Sequence, residues 1–307
     1  MPTATPVRHL ALMGCTASGK SALAMELARR LGDIEVVAVD SMQVYRGMDI
    51  GTAKPTPAER AEVLHHLLDL AEPVDEWSVT RWAADARQAI AGIEARGHRA
   101  LLVGGTGLYF QAIVDGLRPP GRYPSVRARL EEEADTVALH RRLAGVDPLA
   151  ASRMEPSNRR RVVRALEVTL GSGRPFSSYG PGLAHFPSTP WRLAGIWLPR
   201  AVIGARIGAR LSAMVAGGLV AEVERLRMAP GGMSRTARQA LGYREVLAHL
   251  EGGVPLAAAI ADAERRTRAF ARRQRVWWRR DPRFRWYGAL ENPFAVMPQL
   301  LGEWREP

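Results

Sequence analysis

Apolar positions in the first hundred residues fall into short runs that alternate with stretches of helical period. His9 to Met13 is an apolar run ending at Gly14, and Ser21 to Arg30 carries a helix pattern closed by Gly32, a residue suited to cap a helix C-terminus. Glu35 to Val39 is a second run, ending at Asp40, and Arg99 to Val103 a third, ending in Gly104 and Gly105. Between them, Ser78 can cap a helix that passes through Trp82 and Ile90 to Gly97. Strands alternating with helices predict an α/β fold with a parallel sheet, whose ligands gather at the carboxyl ends of the strands. Gly14, Asp40 and Thr106 all follow such ends.

The pattern changes after Leu117. Arg118 to Pro124 is rich in Pro, Gly and Arg, Ser125 to about Leu170 is helical with no strand, and Gly171 to Pro190 is turn-rich. Trp191 to Leu198 reads as a strand again, the chain from Arg200 is largely helical with a break at Pro230 to Gly232, and Phe284 to Tyr287 is a last strand before a short terminal helix. The expected organisation is therefore a core of residues 1–120 and 191–307, interrupted by a helical insertion domain at 121–190.

Composition narrows this picture. The 307 residues are 47% hydrophobic, enough to bury a substantial core, and no stretch approaches eighteen apolar residues in a row. The run Leu10 to Met13 leads straight into a glycine loop and is no signal-peptide core, so a cytoplasmic protein without a membrane segment is expected. Cys15 is the sole cysteine, which excludes an internal disulfide and a cysteine-based zinc site. A net charge of +12 favours a polyanionic partner such as nucleic acid, and the eight tryptophans offer stacking surfaces unless they are core residues. Only two lysines occur, Lys20 and Lys54; every other basic residue is arginine.

Residues 14–21, Gly-Cys-Thr-Ala-Ser-Gly-Lys-Ser, form a complete G-x-x-x-x-G-K-[ST] phosphate loop between a strand and a helix. Its backbone amides cradle a diphosphate, Lys20 neutralises it and the Ser21 hydroxyl can hold Mg²⁺. Cys15 reads as a filler of this loop. A second constellation runs from Asp40 to Pro55: Asp40 can accept a proton from an acceptor amine or hydroxyl, and Gln43 can pair with adenine N6 and N7, although a turn cap and a surface residue are the bland alternatives. The third, Val103 to Tyr109, ends its strand in two glycines and a threonine where a common triphosphatase would carry an Asp for Mg²⁺. His65 and His66 have no partners at metal-ligand spacing and read as structural.

The loop Gly14 to Ser21, the run Val39 to Pro55 and the run Val103 to Phe110 together resemble the bacterial tRNA dimethylallyltransferase family, and the resemblance continues through Arg164 to Val168, Arg206 to Arg210 and Gly242 to Arg244. One departure is Cys15, where the family usually has proline. The resemblance implies a P-loop NTPase-like parallel sheet flanked by helices, with a helical insertion. It also implies transfer of a dimethylallyl group from dimethylallyl diphosphate to N6 of adenine 37 in tRNAs reading codons that start with U. In that scheme Gly14, Thr16, Ala17, Ser18, Gly19, Lys20 and Ser21 bind the substrate diphosphate with Mg²⁺, Asp40 is the base, Thr106 contacts the reacting centre and Arg210 holds the leaving group. The tRNA anticodon stem-loop would meet Asp40, Ser41, Met42, Gln43, Thr106, Arg127, Arg160, Arg161, Arg164, Gln239, Gly242, Tyr243 and Arg244, with the enzyme acting as a monomer. The alternatives are a P-loop small-molecule kinase that uses ATP and an isopentenyltransferase acting on free adenine nucleotides.

Independently of the resemblance, Arg265 to Arg285 holds ten arginines against only Asp281, interleaved with Phe270, Trp277, Trp278 and Phe284. This mixture suits phosphate tracking and base stacking. The same aromatics sit at helical spacing and equally fit the buried stripe of a helix whose arginines face water.

Overall fold

The computed structural model describes residues 9–305, so the expected domain limits at 1 and 307 lie outside the described residues. Six strands form one sheet: β1 (Leu10–Gly14), β2 (Ile34–Val39), β3 (His65–His66), β4 (Arg99–Gly104), β5 (Arg192–Trp197) and β6 (Arg285–Gly288). All pairings are parallel, in the order β3-β2-β4-β1-β5-β6, which makes the fold a P-loop NTPase-like α/β sheet flanked by helices. Every residue of β1, β2 and β4 is buried, which is why these strands read as unbroken apolar runs. Alternate side chains go to opposite faces. Ala11, Met13, Val37, Val39 and Leu102 join one core with Trp82, Phe110, Tyr243 and Trp278. Leu10, Leu12, Val36, Leu101 and Val103 join the other with Leu23, Leu27, Leu300 and Trp304.

Register sets the site. Gly104 at the end of β4 is level with Met13 on one side and Val39 on the other, and Gly14 is level with Ile196 of β5. The loops that follow β1, β2 and β4 therefore leave the sheet at one height.

Thirteen helices occur among the described residues. Those that matter for the site are α1 (Lys20–Leu31), α3 (Val79–Ala95), α4 (Gly107–Val114), α9 (Arg200–Ala216), α10 (Leu219–Met228), α11 (Tyr243–Gly252) and α12 (Leu256–Arg279). Gly32 closes α1 at φ +75°, and the Ser78 hydroxyl caps α3 through the Arg81 amide, as expected. Strand β3 was not expected: two histidines have no period, and they extend the sheet because Val36 and Val37 offer them a free edge. No single helix among the described residues is long and apolar enough to cross a membrane.

The chain divides into two compact units, one of residues up to Asp115 and from Phe186, the other Gly116–His185. The second unit begins and ends five residues earlier than the expected 121–190. It contains α5 (Pro124–Glu132), α6 (Thr136–Val146), α7 (Pro148–Ser152) and α8 (Arg159–Ser172) around Leu139, Leu143, Val162, Val163 and Leu166. Asp135, Asp147 and Asn158 each cap a helix start with a side-chain oxygen.

Candidate active site

The phosphate loop leaves β1 at Gly14 and enters α1 at Lys20. Gly19 holds φ at +86°, and a Cβ there would lie 2.4 Å from Cγ of Pro293, so both its conformation and its neighbour demand glycine. Ala17 also takes a left-handed conformation, φ +62°, which a residue with a Cβ seldom adopts. Arg206 of α9 holds it there by donating from Nε to the Ala17 carbonyl at 2.9 Å. The Ser18 amide turns back to the Cys15 carbonyl at 3.3 Å, and the Thr16 amide donates to Oε1 of Gln274 at 2.8 Å. The amides of Ala17, Gly19, Lys20 and Ser21 take no hydrogen-bond partner among the described residues. Gathered at the N-terminus of α1, they form a nest for an anion. Ser18 is fully buried, so its side chain shapes the loop from inside, and Cys15 is buried with its thiol pushed up by burial, as suits a filler rather than a nucleophile.

Lys20 Nζ donates to the Cys15 carbonyl at 3.3 Å, which folds the ammonium back over the loop. Burial lowers its pKa, Arg210 of α9 adds in the same direction, and Asp40 opposes. Burial likewise lowers Arg210, and Asp40 again opposes. Arg210 remains cationic, as guanidinium does in proteins. Two desolvated cations thus feel the charge of one carboxylate without an ion pair to it among the described residues, an arrangement that attracts a further anion. Asp40 itself is fixed through Oδ1, which accepts from the Met42 amide at 2.8 Å and the Gln43 amide at 3.4 Å. The turn cap and the chemistry are compatible, because Oδ2 has no hydrogen-bond partner among the described residues. Thr106 reaches the same place through the sheet: the amides of Gly105 and Thr106 both donate to the Val39 carbonyl at 3.3 Å, one residue before Asp40. The Thr106 hydroxyl does not cap α4 and makes no hydrogen bond among the described residues.

The segment from Asp40 to Pro55 is held by buried charge. Lys54, 1% exposed along its side chain, donates to the Tyr45 carbonyl at 2.5 Å, to Asp49 Oδ1 at 2.8 Å and to Asp69 Oδ1 at 2.6 Å. Glu222 of α10, buried, accepts from the consecutive amides of Asp49, Ile50 and Gly51 at 3.0, 2.9 and 3.2 Å, and from the Tyr243 hydroxyl at 2.6 Å. The Gln43 amide nitrogen donates to the carbonyls of Thr52 and Ala53 at 3.1 and 3.3 Å, so it braces this segment as well.

Lys20, Ser21, Asp40, Thr106 and Arg210 are thus drawn around the strand ends, beside half-buried Ser41 and Met42. Tyr243 is corrected from a surface contact to a fully buried strut under Gly51, and Gly242 is buried with it, while Gln239 and Arg244 are exposed. In the other unit, Arg160 and Arg161 are exposed, whereas Arg127 and Arg164 pair with buried Glu167 at 3.4 and 2.8 Å. His66 pairs with Glu35 at 2.7 Å and His65 with the Val63 carbonyl at 2.7 Å, both structural. The aromatic stripe of the arginine-rich segment splits: Trp278 and Phe284 are core, while Phe270 and Trp277 are half-buried. Arg206 and Gln274 were not assigned roles from sequence. The signals were there: Arg206 lies one helical turn before Arg210, and Gln274 is the one side-chain amide in an arginine run.

Ser21 is exposed; among the described residues its hydroxyl makes no hydrogen bond and no group of three or more His, Cys, Asp or Glu could hold a metal. Such a donor set fits a Mg²⁺ that arrives on substrate phosphates and keeps most of its waters.

Residues 43–281 match the family described as IPP transferase. The chain is 45% identical to the tRNA dimethylallyltransferase of Bifidobacterium animalis subsp. lactis over 96% of its length and 88% of that protein's. It is 49% identical to the tRNA dimethylallyltransferase of Kineococcus radiotolerans, covering 95% of each chain. The crystal structure of the tRNA isopentenylpyrophosphate transferase of Bacillus halodurans superposes with a TM-score of 0.68 at 34% identity, covering 96% of both chains. A phosphate loop facing an Asp, a Thr and an Arg across three strand ends, matched along almost the whole chain, places this protein in the IPP transferase family.

Proposed function

We propose that this protein transfers the dimethylallyl group of dimethylallyl diphosphate to N6 of adenine 37 in tRNAs that read codons starting with U, working in the cytoplasm as a monomer. The observation that carries this reading is the anion nest at the start of α1, with Asp40 and Thr106 on the neighbouring strand ends and with Asp40 near enough to Lys20 and Arg210 to act on the charge of both. The bond between the allylic carbon and the diphosphate oxygen breaks, and a bond from that carbon to N6 forms. Asp40 takes the N6 proton through its uncommitted oxygen. Lys20, Arg210 and the free amides of Ala17, Gly19, Lys20 and Ser21 stabilise the departing pyrophosphate, each group contributing about 3 kcal/mol if it acts as such donors commonly do. Mg²⁺, held by the Ser21 hydroxyl and the diphosphate, would add positive charge on the leaving group. Thr106 directs its hydroxyl toward the reacting centre.

An adenine stacked in an anticodon loop must be extruded to reach Asp40, at a cost of a few kcal/mol that protein–RNA contacts have to offset. Ser41, Met42, Gln239 and Arg244 are the side chains that the sheet-containing unit offers for that grip; the helical unit, taken by itself, exposes Arg160 and Arg161 as cations for RNA phosphates. A groove of 380 Å³ on α12, lined by Arg272, Arg273, Val276, Trp277 and Arg280, adds cations and an aromatic face, with Trp277 lying directly against Gly107 at the start of α4.

The test is incubation with labelled dimethylallyl diphosphate, Mg²⁺ and an anticodon stem-loop containing A36-A37-A38, with AMP in parallel. Label is expected on the RNA alone; label on AMP alone would indicate a free-nucleotide enzyme, and phosphate transfer from ATP a kinase. Asp40→Asn should reduce transfer at least about a hundredfold while leaving pyrophosphate and RNA affinities close to those of the parent. Loss of binding in step with activity would make Asp40 structural.

A further inference from the structure

The mechanism needs the diphosphate and the Thr106 hydroxyl to sit at a fixed separation, yet they belong to loops that leave different strands, β1 and β4. One buried side chain joins them. Gln274 of α12 accepts the Thr16 amide on Oε1 at 2.8 Å and donates from Nε2 to the Gly105 carbonyl at 3.0 Å. It is 6% exposed, the neutral polar residue between Arg273 and Arg275 that turns inward while its neighbours turn out or sideways. A Cβ on Gly105 would lie 2.2 Å from Nε2, so this loop comes as close as it does because position 105 has no side chain.

The chemistry of the two partners is opposite: a backbone donor on the phosphate loop and a backbone acceptor on the threonine loop. An uncharged amide of glutamine length answers both. An ionised carboxylate lacks the donor, lysine and arginine lack the acceptor, and an apolar residue leaves two buried backbone groups unpaired. The bond to Thr16 also removes that amide from the anion nest, so the cradle starts at Ala17. Resting on the transferase reading above, we propose that Gln274 is a positioning residue that locks the phosphate loop to the Thr106 loop, so that the leaving group and the acceptor side are held in reacting register rather than bound more tightly.

Single-turnover transfer of labelled dimethylallyl to the anticodon stem-loop should be measured for the parent, Gln274→Leu and Gln274→Glu, alongside the separate affinities for pyrophosphate and for the RNA. Because small misplacements of reacting groups cost about 100-fold, Gln274→Leu should slow transfer by about that factor while each affinity stays within about threefold. Gln274→Glu keeps the acceptor for Thr16 and regains a donor for Gly105 only when its new carboxyl is protonated. Its rate relative to the parent at the same pH should therefore rise as pH falls. Parent-like transfer in both variants overturns the inference. So does a loss of pyrophosphate affinity as large as the loss of rate, which would confine Gln274 to shaping the phosphate loop, or a pH-independent deficit in Gln274→Glu. If Gln274→Leu does not fold, the pH dependence of Gln274→Glu decides alone. A parent that transfers nothing to RNA overturns the transferase reading itself; a parent that transfers while the variants match it overturns only the role of Gln274.

Discussion

Lys20 and Lys54 are the two lysines of an arginine-dominated chain, and each stands where a compact ammonium does what a planar fork does not. Lys54 has three donors and three acceptors placed around one point, Tyr45 O, Asp49 Oδ1 and Asp69 Oδ1. Lys54→Met would leave the Tyr45 carbonyl without this donor and take one cation from half-exposed Asp49 and from Asp69, which keeps Arg60 at 2.6 Å, and should lower stability by about 2 kcal/mol. Lys54→Arg should recover only part of this. Denaturant unfolding measures both, and a loss below about 0.5 kcal/mol for Lys54→Met, within the range of ordinary surface changes, would show that the clasp contributes little. Lys20 has a single carbonyl partner and waits for an anion. Burial holds its pKa below the ordinary 10.5. The ammonium is the form that binds pyrophosphate, so its contribution is present below that lowered pKa and is lost as pH rises through it. The affinity advantage of the parent over Lys20→Ala should accordingly shrink on the alkaline side before an ordinary lysine would titrate; a constant advantage up to pH 10.5 contradicts this.

At the scale of elements, the two ends of β2 have separate tasks. Its carboxyl end carries Asp40, and its start carries Glu35, buried and bonded to Arg96 at 2.7 Å, His66 at 2.7 Å and His98 at 2.9 Å. The Arg96 bonds are the largest cause that holds the Glu35 carboxyl down at about 2. The depressed value contributes stability that is present above the ordinary carboxylate range and lost as pH falls from about 4.5 toward about 2, worth at most about 3 kcal/mol before screening at half-exposed Arg96 is counted. Glu35→Gln should therefore be less stable than the parent at pH 7, approach it near about pH 2, and transfer the prenyl group as fast per folded molecule. Slowed transfer by the folded variant would tie this end of the strand to the site. The same strand shows what sequence can convey. Its apolar run and the Asp that ends it are local facts, as are the phosphate loop and the caps at Gly32 and Ser78. The edge strand at His65 and His66 carries no period of its own. Glu222 meets Asp49, and Gln274 meets Thr16, across 173 and 258 residues of chain. Buried polar pairings of that kind follow from where helices land on the sheet, so neither carboxylate nor amide announced its partner, and Tyr243 read as a surface contact because its ring differs in no local way from an exposed one.

For the molecule as a whole, the net charge of +12 matters through its distribution. Within Arg265 to Arg285, half of the arginines already have carboxylates: Arg265 and Arg266 share Asp262, Arg268 takes Glu264, Arg283 takes Asp281 and Asp115, and Arg285 takes Glu303. Arg272, Arg273 and Arg280 are exposed along the groove that holds Trp277, and none of them has a carboxylate partner among the described residues. Exposed unpaired cations release counterions when they meet phosphates, whereas paired ones must first exchange a partner. Replacing Arg272, Arg273 and Arg280 together by Ala should therefore reduce the slope of log affinity against log salt for the anticodon stem-loop by about 2, taking about 0.7 for each single-strand phosphate that is no longer neutralised. Replacing Arg265 and Arg268 should change it far less. Pyrophosphate affinity is the control that separates weakened RNA binding from damage to the neighbouring phosphate loop, and it should not change. Equal slopes for the parent and the triple variant would move the RNA surface away from α12 and return its arginines to the role of solvated charges over a buried stripe.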